Sequence, residues 1–206
     1  NFRIFHCGTR HAHVLFETEC GAARSLARVL LEHDGWQIEI QEVPEAGRVI
    51  ETLKAEGGNG ITHVGKIRRR SGKTFTIGEL RRTMRELHLF FSFARGLWTP
   101  VMLPVGFDSQ GSRVFQEWGV TLGENWDSCT TWFDDHHGEA LADLYPGFVA
   151  LLRDREMGVA VSEALYWYLK SNRAGRGAGP DGGLILSQAA LERLVVAYLA
   201  KHSLST

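Results

Sequence analysis

Hydrophobic and polar residues alternate one by one in the first part of the chain. Trp36, Ile38 and Ile40 are apolar, and Gln37 and Glu39 separate them. This period of two is typical of a strand with one face buried in a core. Shorter apolar runs with polar flanks predict further strands at residues 2–5 and 14–16, at 61–70, and twice between 98 and 120.

The spacing of apolar residues also predicts helices between these strands. Thr76 and Glu79 have the spacing of a capping box, in which two side chains satisfy free backbone amides, and Gly96 is a typical helix end. Between them, apolar residues recur every three or four positions and predict one core-facing stripe, formed by Ile77, Leu80, Met84, Leu87, Phe91 and Ala94. Further helices are predicted over residues 22–33 and 44–54.

From residue 140 onward the apolar period is helical. A helix is predicted over 140–153, broken or kinked at Pro146. A second helix carries an apolar stripe formed by Met157, Val161, Ala164, Leu165 and Tyr168. The glycine-rich stretch 174–183 predicts a flexible loop. The last helix is predicted from the stripe of Leu184, Gln188, Leu191, Val195 and Tyr198.

The order of these elements indicates an α+β fold, in which a mixed strand and helix region precedes a helical one. We place a domain boundary near residue 137. Residues 1–137 would form a mixed α/β sensing or scaffolding region, and residues 138–206 would form a helical region.

Composition limits the classes of protein to which the chain can belong. Its 206 residues can bury a core as one large domain or two small ones. A hydrophobic fraction of 44% and a charged fraction of 23% exclude disorder as the main state. The formal net charge of −1 gives no overall attraction to nucleic acid or to membranes. Binding to a polyanion would therefore require a local basic surface.

Cysteine usage and hydropathy bear on the compartment. Three widely spaced cysteines predict reduced thiols rather than a disulfide framework. Because we find neither a signal-peptide pattern nor an apolar run of roughly 18 residues, we expect a cytoplasmic protein with no membrane contact. No phosphate-cradling motif indicates a cofactor, and we expect none. The chain begins with Asn rather than Met, and its last apolar period reaches nearly to Thr206. We therefore also expect it to be part of a longer protein.

The densest positive charge lies between residues 66 and 82. On an alternating strand, Arg68 and Arg70 share one face, and Arg69 points to the other. Such a cluster can bind the phosphates of RNA, DNA or another polyanion. The candidate nucleic-acid-binding residues are Lys66, Arg68, Arg70, Lys73, Arg81 and Arg82. The alternative is an ordinary solvated surface, with Glu79 and Glu86 available as partners for these cations.

Nine histidines raise the alternative of a metal site. Five of them lie in two clusters with other potential ligands: His6, Cys7, His11 and His13, and then Asp134, Asp135, His136, His137 and Glu139. Zinc needs three or four such donors that converge, and neither H-E-x-x-H nor a pair of C-x-x-C motifs is present. We therefore assign no metal ligand, and a metal-dependent hydrolase is the least favoured hypothesis.

Three short segments occur in a suggestive order. They are ITHVG at 61–65, FSFARG at 91–96 and ALYWYL at 164–169, and QAALERL follows at 188–194. This order resembles uncharacterised bacterial proteins related to the ApeA-type anti-phage proteins, whose C-terminal part is a HEPN-like helical domain. The resemblance implies an antiviral defence protein, with the opening helices of a HEPN-like ribonuclease from about residue 154.

HEPN ribonucleases use an Arg followed four to six residues later by a His, on a late helix. Pairs of this kind, such as Arg28 and His33, lie only in the N-terminal region and are as frequent as chance predicts. No catalytic residue is therefore assigned. The resemblance implies an active site downstream of this chain, completed by a homodimer, and leaves open whether the protein is an enzyme. The competing hypothesis is a binding module for RNA or DNA.

Overall fold

In the computed structural model of the chain, the described residues form one six-stranded sheet, in the order β2-β3-β4-β1-β5-β6. The structure describes residues 2–6, 28–119, 121–125, 127, 129, 131–133, 138–177 and 179–203. All neighbouring strands are antiparallel. The strands are β1 Phe2–His6, β2 Arg28–His33, β3 Trp36–Glu42, β4 His63–Arg69, β5 Val101–Phe107 and β6 Arg113–Gln116.

Five helices accompany the described part of the sheet, and the last three follow one another without an intervening strand. They are α1 Ala46–Glu56, α2 Ile77–Arg95, α3 Glu139–Arg153, α4 Met157–Gly177 and α5 Gly179–Ser203. The predicted α+β class is confirmed, because strands mixed with helices precede helices alone. The helix predicted over 140–153 runs through Pro146 without a break.

Alternation along the strands produces one buried face. Leu31, Ile38 and Ile67 occupy paired positions on β2, β3 and β4, and each is fully buried. The side chains between them, such as Gln37 and Arg68, lie on the opposite, polar face. Because side chains on a strand alternate between the two faces, this register separates the core from the polar surface.

α2 lies against the core, as its apolar stripe predicts. The Thr76 side chain accepts a hydrogen bond from the Glu79 amide, and the Glu79 carboxylate accepts one from the Thr76 amide, which completes the capping box. The helix ends at Gly96, whose φ of 79° is readily adopted only by glycine. Phe90 is fully buried, and its ring packs edge-on against Tyr145 of α3 at 5.2 Å.

α3 belongs to the same core as the sheet. Leu141, Tyr145 and Val149 are buried in one cluster with the apolar residues of β2, β3 and β4. The helix after residue 138 therefore covers the sheet, although the predicted boundary near residue 137 would separate the two. That boundary stays a prediction.

An ion pair joins α2 to the end of α3. Arg153 donates from Nε and Nη2 to the two carboxylate oxygens of Glu86, at 2.7 and 3.1 Å. The Glu86 side chain is only 6% exposed, and Arg153 is 29% exposed. Arg153 also donates to the Asp34 carboxylate at 2.9 Å, in the turn between β2 and β3. Its guanidinium thus connects the sheet and two helices.

α4 and α5 form an antiparallel pair. The Glu163 carboxylate accepts from Arg193 midway along the pair, and the Asp154 carboxylate accepts from Lys201 at its end. The flexible loop predicted over 174–183 is wrong, because α4 continues to Gly177 and α5 begins at Gly179. Pro180 lies in the first turn of α5, where its fixed φ favours the helix. Packing along the two helices offsets the low helix propensity of the glycines.

The helix predicted over residues 22–33 is also wrong where the structure describes it. Arg28–His33 is strand β2, which pairs with β3 across a tight turn at Asp34 and Gly35. Both turn residues have positive φ, as a two-residue hairpin requires. Val29 and Leu31 are buried and Leu30 is not, which is the period of a strand. The strand predicted over 14–16 lies outside the described residues.

α5 exposes the apolar stripe from which the helix was predicted. Leu184, Leu191, Val195 and Tyr198 expose between 54 and 70% of their surface. In its place, small residues such as Ala190 and Ala197 are buried. Among the described helices, α5 alone has the length and apolar composition that could cross a membrane, although core helices and signal sequences also meet these two criteria.

Removal of the Arg153 guanidinium tests the ion pair with Glu86. Arg153→Met leaves a nearly buried carboxylate without its partner, and we expect a loss of about 3 kcal/mol in the free energy of unfolding. The double variant Glu86→Leu/Arg153→Met should recover much of this loss, since neither charge remains. Chemical denaturation measures both values, with Arg155→Met as the control. A single variant as stable as the wild type would contradict the assigned role.

The Lys201–Asp154 contact should be visible in an acid titration. The hydrogen bond from Lys201, together with the backbone amides of Met157 and Glu156, lowers the pKa of Asp154 from 3.8 to about 2. The contact therefore stabilises the fold above pH 3.8 and loses this effect as the pH falls towards 2. In Lys201→Met, the Asp154 pKa measured by carboxyl NMR should move up towards 3.8. An unchanged pKa would refute the contact.

Candidate anion-binding site

The cations of β4 follow the alternation of the strand. Lys66 and Arg68 are exposed on the polar face of the sheet, and Arg70 follows them in the turn after β4. Arg69 points to the other face and is partly buried. Alternate residues on a strand lie about 6.6 Å apart, which is the spacing of Lys66 and Arg68, and Arg70 extends this row into the turn.

Pairing with β1 brings the ends of two other strands to one edge of the sheet. Phe2 pairs with Ile67 of β4 on one side and with Gly106 of β5 on the other. Because β1 is antiparallel to both, β4 and β5 run in the same direction and end side by side. With one strand between them, their ends lie about 10 Å apart.

A surface pocket of about 620 Å³ lies at this edge. The segment after β4 and the turn between β5 and β6 supply most of its wall, and Gln37 of β3 completes it. The lining residues are Gln37, Arg68, Arg69, Arg70, Gly72, Lys73, Thr74, Phe75, Phe107, Asp108, Ser109 and Val114.

Three of the six predicted binding residues line this pocket, namely Arg68, Arg70 and Lys73. Lys66 lies two residues before Arg68 on the same face of β4. The pocket wall does not include Arg81 or Arg82 of α2. Arg81 instead donates to Glu117 at 3.0 Å.

Arg69 anchors the pocket rather than offering a free charge. Its guanidinium lies 3.7 Å from the centre of the Trp36 ring, which itself packs edge-on against Phe75 at 4.7 Å. Arg69 also donates to the Glu79 carboxylate at 2.5 Å. The pKa of Glu79 is lowered, first by the hydrogen bonds with Thr76 and then by Arg69. Glu79 therefore links the start of α2 to the pocket.

A chain of polar contacts holds Arg68 on the sheet. Arg68 donates to the amide oxygen of Gln37, and Gln37 donates to Glu32 at 2.9 Å. Glu32 also lies 3.6 Å from Arg70, whose side chain is 71% exposed. The direct partner of Arg68 is thus a neutral amide, so its charge is compensated only indirectly.

The acid that lines the pocket, Asp108, is engaged with its own turn. Its carboxylate accepts from the amides of Gln110 and Ser112 at 2.9 and 2.8 Å, which fixes the turn between β5 and β6. Lys73, on the opposite side, forms no ion pair with any described residue, and the same holds for Lys66 and Arg68. Three cations near the pocket therefore lack a carboxylate partner within the described chain.

This arrangement suits an oxyanion. Guanidinium groups donate in a fork that matches phosphate oxygens, and a lysine adds a mobile point charge. Thr74 and Ser109 supply hydroxyl groups on the two sides of the pocket. The described lining contains no histidine or cysteine beside these hydroxyls.

The predicted histidine clusters cannot be assigned to a site. Residues 7–13 and 134–137 lie outside the described residues, and for His6 only the backbone is described. Glu139 is exposed in the first turn of α3. Within the described part of the chain, no group of three or more His, Cys, Asp or Glu residues could hold a metal ion.

The sequence did not reveal that two distant segments meet. Thr74 and Ser109 were not candidates, because their approach depends on the pairing of β1 with both β4 and β5. The signal that was available is the turn-forming run at 108–111, whose glycine and polar residues place it at a sheet edge. The strand order decides which other segment lies at the same edge of the sheet as this turn.

Comparison with known proteins identifies the family. The model of the YopA central domain matches residues 2–129, and that of the YopA C-terminal domain matches residues 154–205. A curated relative is the SPbeta prophage-derived uncharacterized protein YopA of Bacillus subtilis strain 168. It is 25% identical over 181 residues, which cover 87% of this chain and 40% of the relative. No solved structure matches.

These matches overturn the resemblance to ApeA-type proteins, because the segment expected to open a HEPN-like domain matches the YopA C-terminal domain instead. The strings at 91–96 and 164–169 lie in α2 and α4, where Ala94, Ala164 and Leu169 are buried. Apolar positions of this kind recur in unrelated helical proteins. The expected defence role and ribonuclease region therefore lose their basis. Since the central-domain match alone covers more than half of the sequence, the chain belongs to the YopA family.

Proposed function

We propose that this chain is a binding module for the phosphate backbone of a nucleic acid, which it contacts through the pocket between β4 and the β5–β6 turn. The observation that carries the proposal is the convergence of Arg68, Arg70 and Lys73 on one surface pocket. The chain spans about 40% of its curated relative, so the proposal concerns this part of the molecule alone.

The row of charges on β4 extends the pocket in one direction. Lys66 precedes Arg68 on the same exposed face. A backbone bound at Arg68 and Lys73 could therefore continue along the sheet towards Lys66. Phosphate contacts of this kind supply affinity without reading the bases, so we expect little sequence preference.

The charge distribution predicts modest affinity with a measurable dependence on salt. The chain as a whole carries a formal charge of −1, so attraction comes from the local cations alone. If the three cations without a carboxylate partner each neutralise one phosphate, the logarithm of the association constant should fall linearly with the logarithm of the salt concentration. The expected slope is about −2 for single strands and about −2.7 for duplex DNA.

Binding of labelled single-stranded RNA, single-stranded DNA and duplex DNA at several salt concentrations tests the proposal. We expect Arg68→Gln/Lys73→Gln to weaken binding about tenfold at low salt. The magnitude of the slope should fall by about 1.4 for single strands and about 1.8 for duplex DNA. Fluorescence anisotropy measures both quantities. Comparison of single-stranded with duplex DNA shows whether strandedness affects the affinity, and comparison of single-stranded RNA with single-stranded DNA shows whether the ribose does.

Arg48→Gln/Lys54→Gln on α1 removes the same charge from a surface outside the pocket and serves as the matched control. It should bind as the wild type does. If both double variants weaken binding equally, the loss follows from the change in net charge, and the proposed site is wrong. Absent or salt-independent binding of all three nucleic acids would overturn the function itself.

A further inference from the structure

Most of the exposed residues of α5 between Leu184 and Leu199 are apolar, and Gln188 and Glu192, which hydrogen-bond to each other, interrupt this apolar surface. Leu184, Leu191, Val195 and Tyr198 follow one another at spacings of seven, four and three residues, and therefore share one face of the helix. Ile185 and Val196 extend it, with 67 and 60% of their surface exposed. The face towards α4 carries Ala190 and Ala197 instead. An exposed apolar surface of this size is typical of a helix that packs against another molecule.

A groove of about 810 Å³ runs beside this surface. Leu144 and Leu151 of α3 form one wall, and α5 forms the other from Ser187 to Leu199. The floor is α4, with Val161 and Leu165 among its residues. Phe93 of α2 also lines the groove, which has the apolar character of a site for a further packed helix.

The dimensions of the groove match α5 itself. The floor along α4, from Met157 to Tyr168, is about 17 Å long, and the exposed stripe of α5 from Leu184 to Leu199 is about 22 Å long. A helix that fills such a groove touches three neighbours and must be apolar over most of its circumference. Among the described helices, α5 has this composition and still lacks cover.

The exposed area is that of a protein interface. Seven large apolar residues of α5 expose more than half of their surface: Leu184, Ile185, Leu191, Val195, Val196, Tyr198 and Leu199. Together they present on the order of 800 Å², which is what one partner of a stable protein–protein interface buries.

Ion pairs argue against a bilayer as the cover. Glu163 and Arg193 pair halfway along the two helices, and Asp154 and Lys201 pair at their end. Insertion of α5 into a membrane would either break the first pair or carry two charged groups into the hydrocarbon. Charged groups at that depth are costly.

We infer that the cover is a second copy of this chain. α5 of each copy lies in the groove of the other copy. Each α5 therefore has two roles, as a wall of its own groove and as the helix that fills the groove of the other copy. Such an arrangement is an isologous dimer with a two-fold axis, the commonest form of self-association. It covers the residues of α5 that the monomer exposes.

Sedimentation equilibrium of the full chain tests the dimer. The wild type should sediment at twice the chain mass of 23.0 kDa. Leu191→Asp places a charge at the centre of the exposed stripe and should weaken self-association about a hundredfold or more. Leu191 is 64% exposed, so this variant should retain the monomer fold. Leu122→Asp, at a leucine 57% exposed and away from the groove, is the matched control and should remain dimeric.

Thermal unfolding gives a second test, because the unfolding temperature of a dimer depends on protein concentration. The unfolding temperature of the wild type should rise with protein concentration, and that of Leu191→Asp should not. A wild type that is monomeric at all concentrations overturns the inference. So does a monomer that binds vesicles of neutral phospholipid through Leu191, because the cover would then be a membrane. Equal loss of dimer in the Leu122→Asp control also overturns it.

Discussion

Antiparallel pairing of β1 with both β4 and β5 is the constraint on which the rest of the structure depends. It joins the β2–β3–β4 part of the sheet to β5 and β6. It also sets the direction of β4 and β5, and therefore brings the basic segment after β4 next to the turn at Asp108. The pocket results from this strand order, because its two walls are separated in sequence by more than a helix.

The β2–β3 turn connects the pocket to the helical part. The Asp34 carbonyl accepts from Arg69 at 3.2 Å, and the Asp34 carboxylate accepts from Arg153 at 2.9 Å. The next residue, Asp154, binds Lys201 of α5. A continuous set of contacts thus leads from the base of the pocket to the helix that carries the exposed apolar stripe. Each of the two proposed surfaces can nevertheless be altered without the other, since they share no residue.

The sequence predicted best those elements whose signals are local. The capping box at Thr76 and the glycine at position 96 define α2 without help from the rest of the chain. The sequence alone predicts a helix at β2, because Val29 and Leu30 fit both the helical and the strand period, and only the pairing with β3 distinguishes the two. The glycines of residues 174–183 predict a loop, whereas α4 and α5 are helical on both sides of residue 178.

The candidate site was half predictable for the same reason. Alternation placed Arg68 and Arg70 on one face, which a strand imposes locally. It could not show that Ser109 lies opposite them, nor that Arg69 is held by Trp36 and Glu79. The apolar stripe of α5 was visible in the sequence as well. Whether such a stripe faces its own core or another molecule is not encoded in its period.

Titration of the isotope-labelled chain with a short single-stranded oligonucleotide, followed by amide NMR, tests the central claim most directly. The account predicts that the amides of Gly72, Lys73 and Ser109 shift together, because both walls contact the same phosphates. Shifts confined to one wall, or centred on Arg81 and Arg82 of α2, would contradict it.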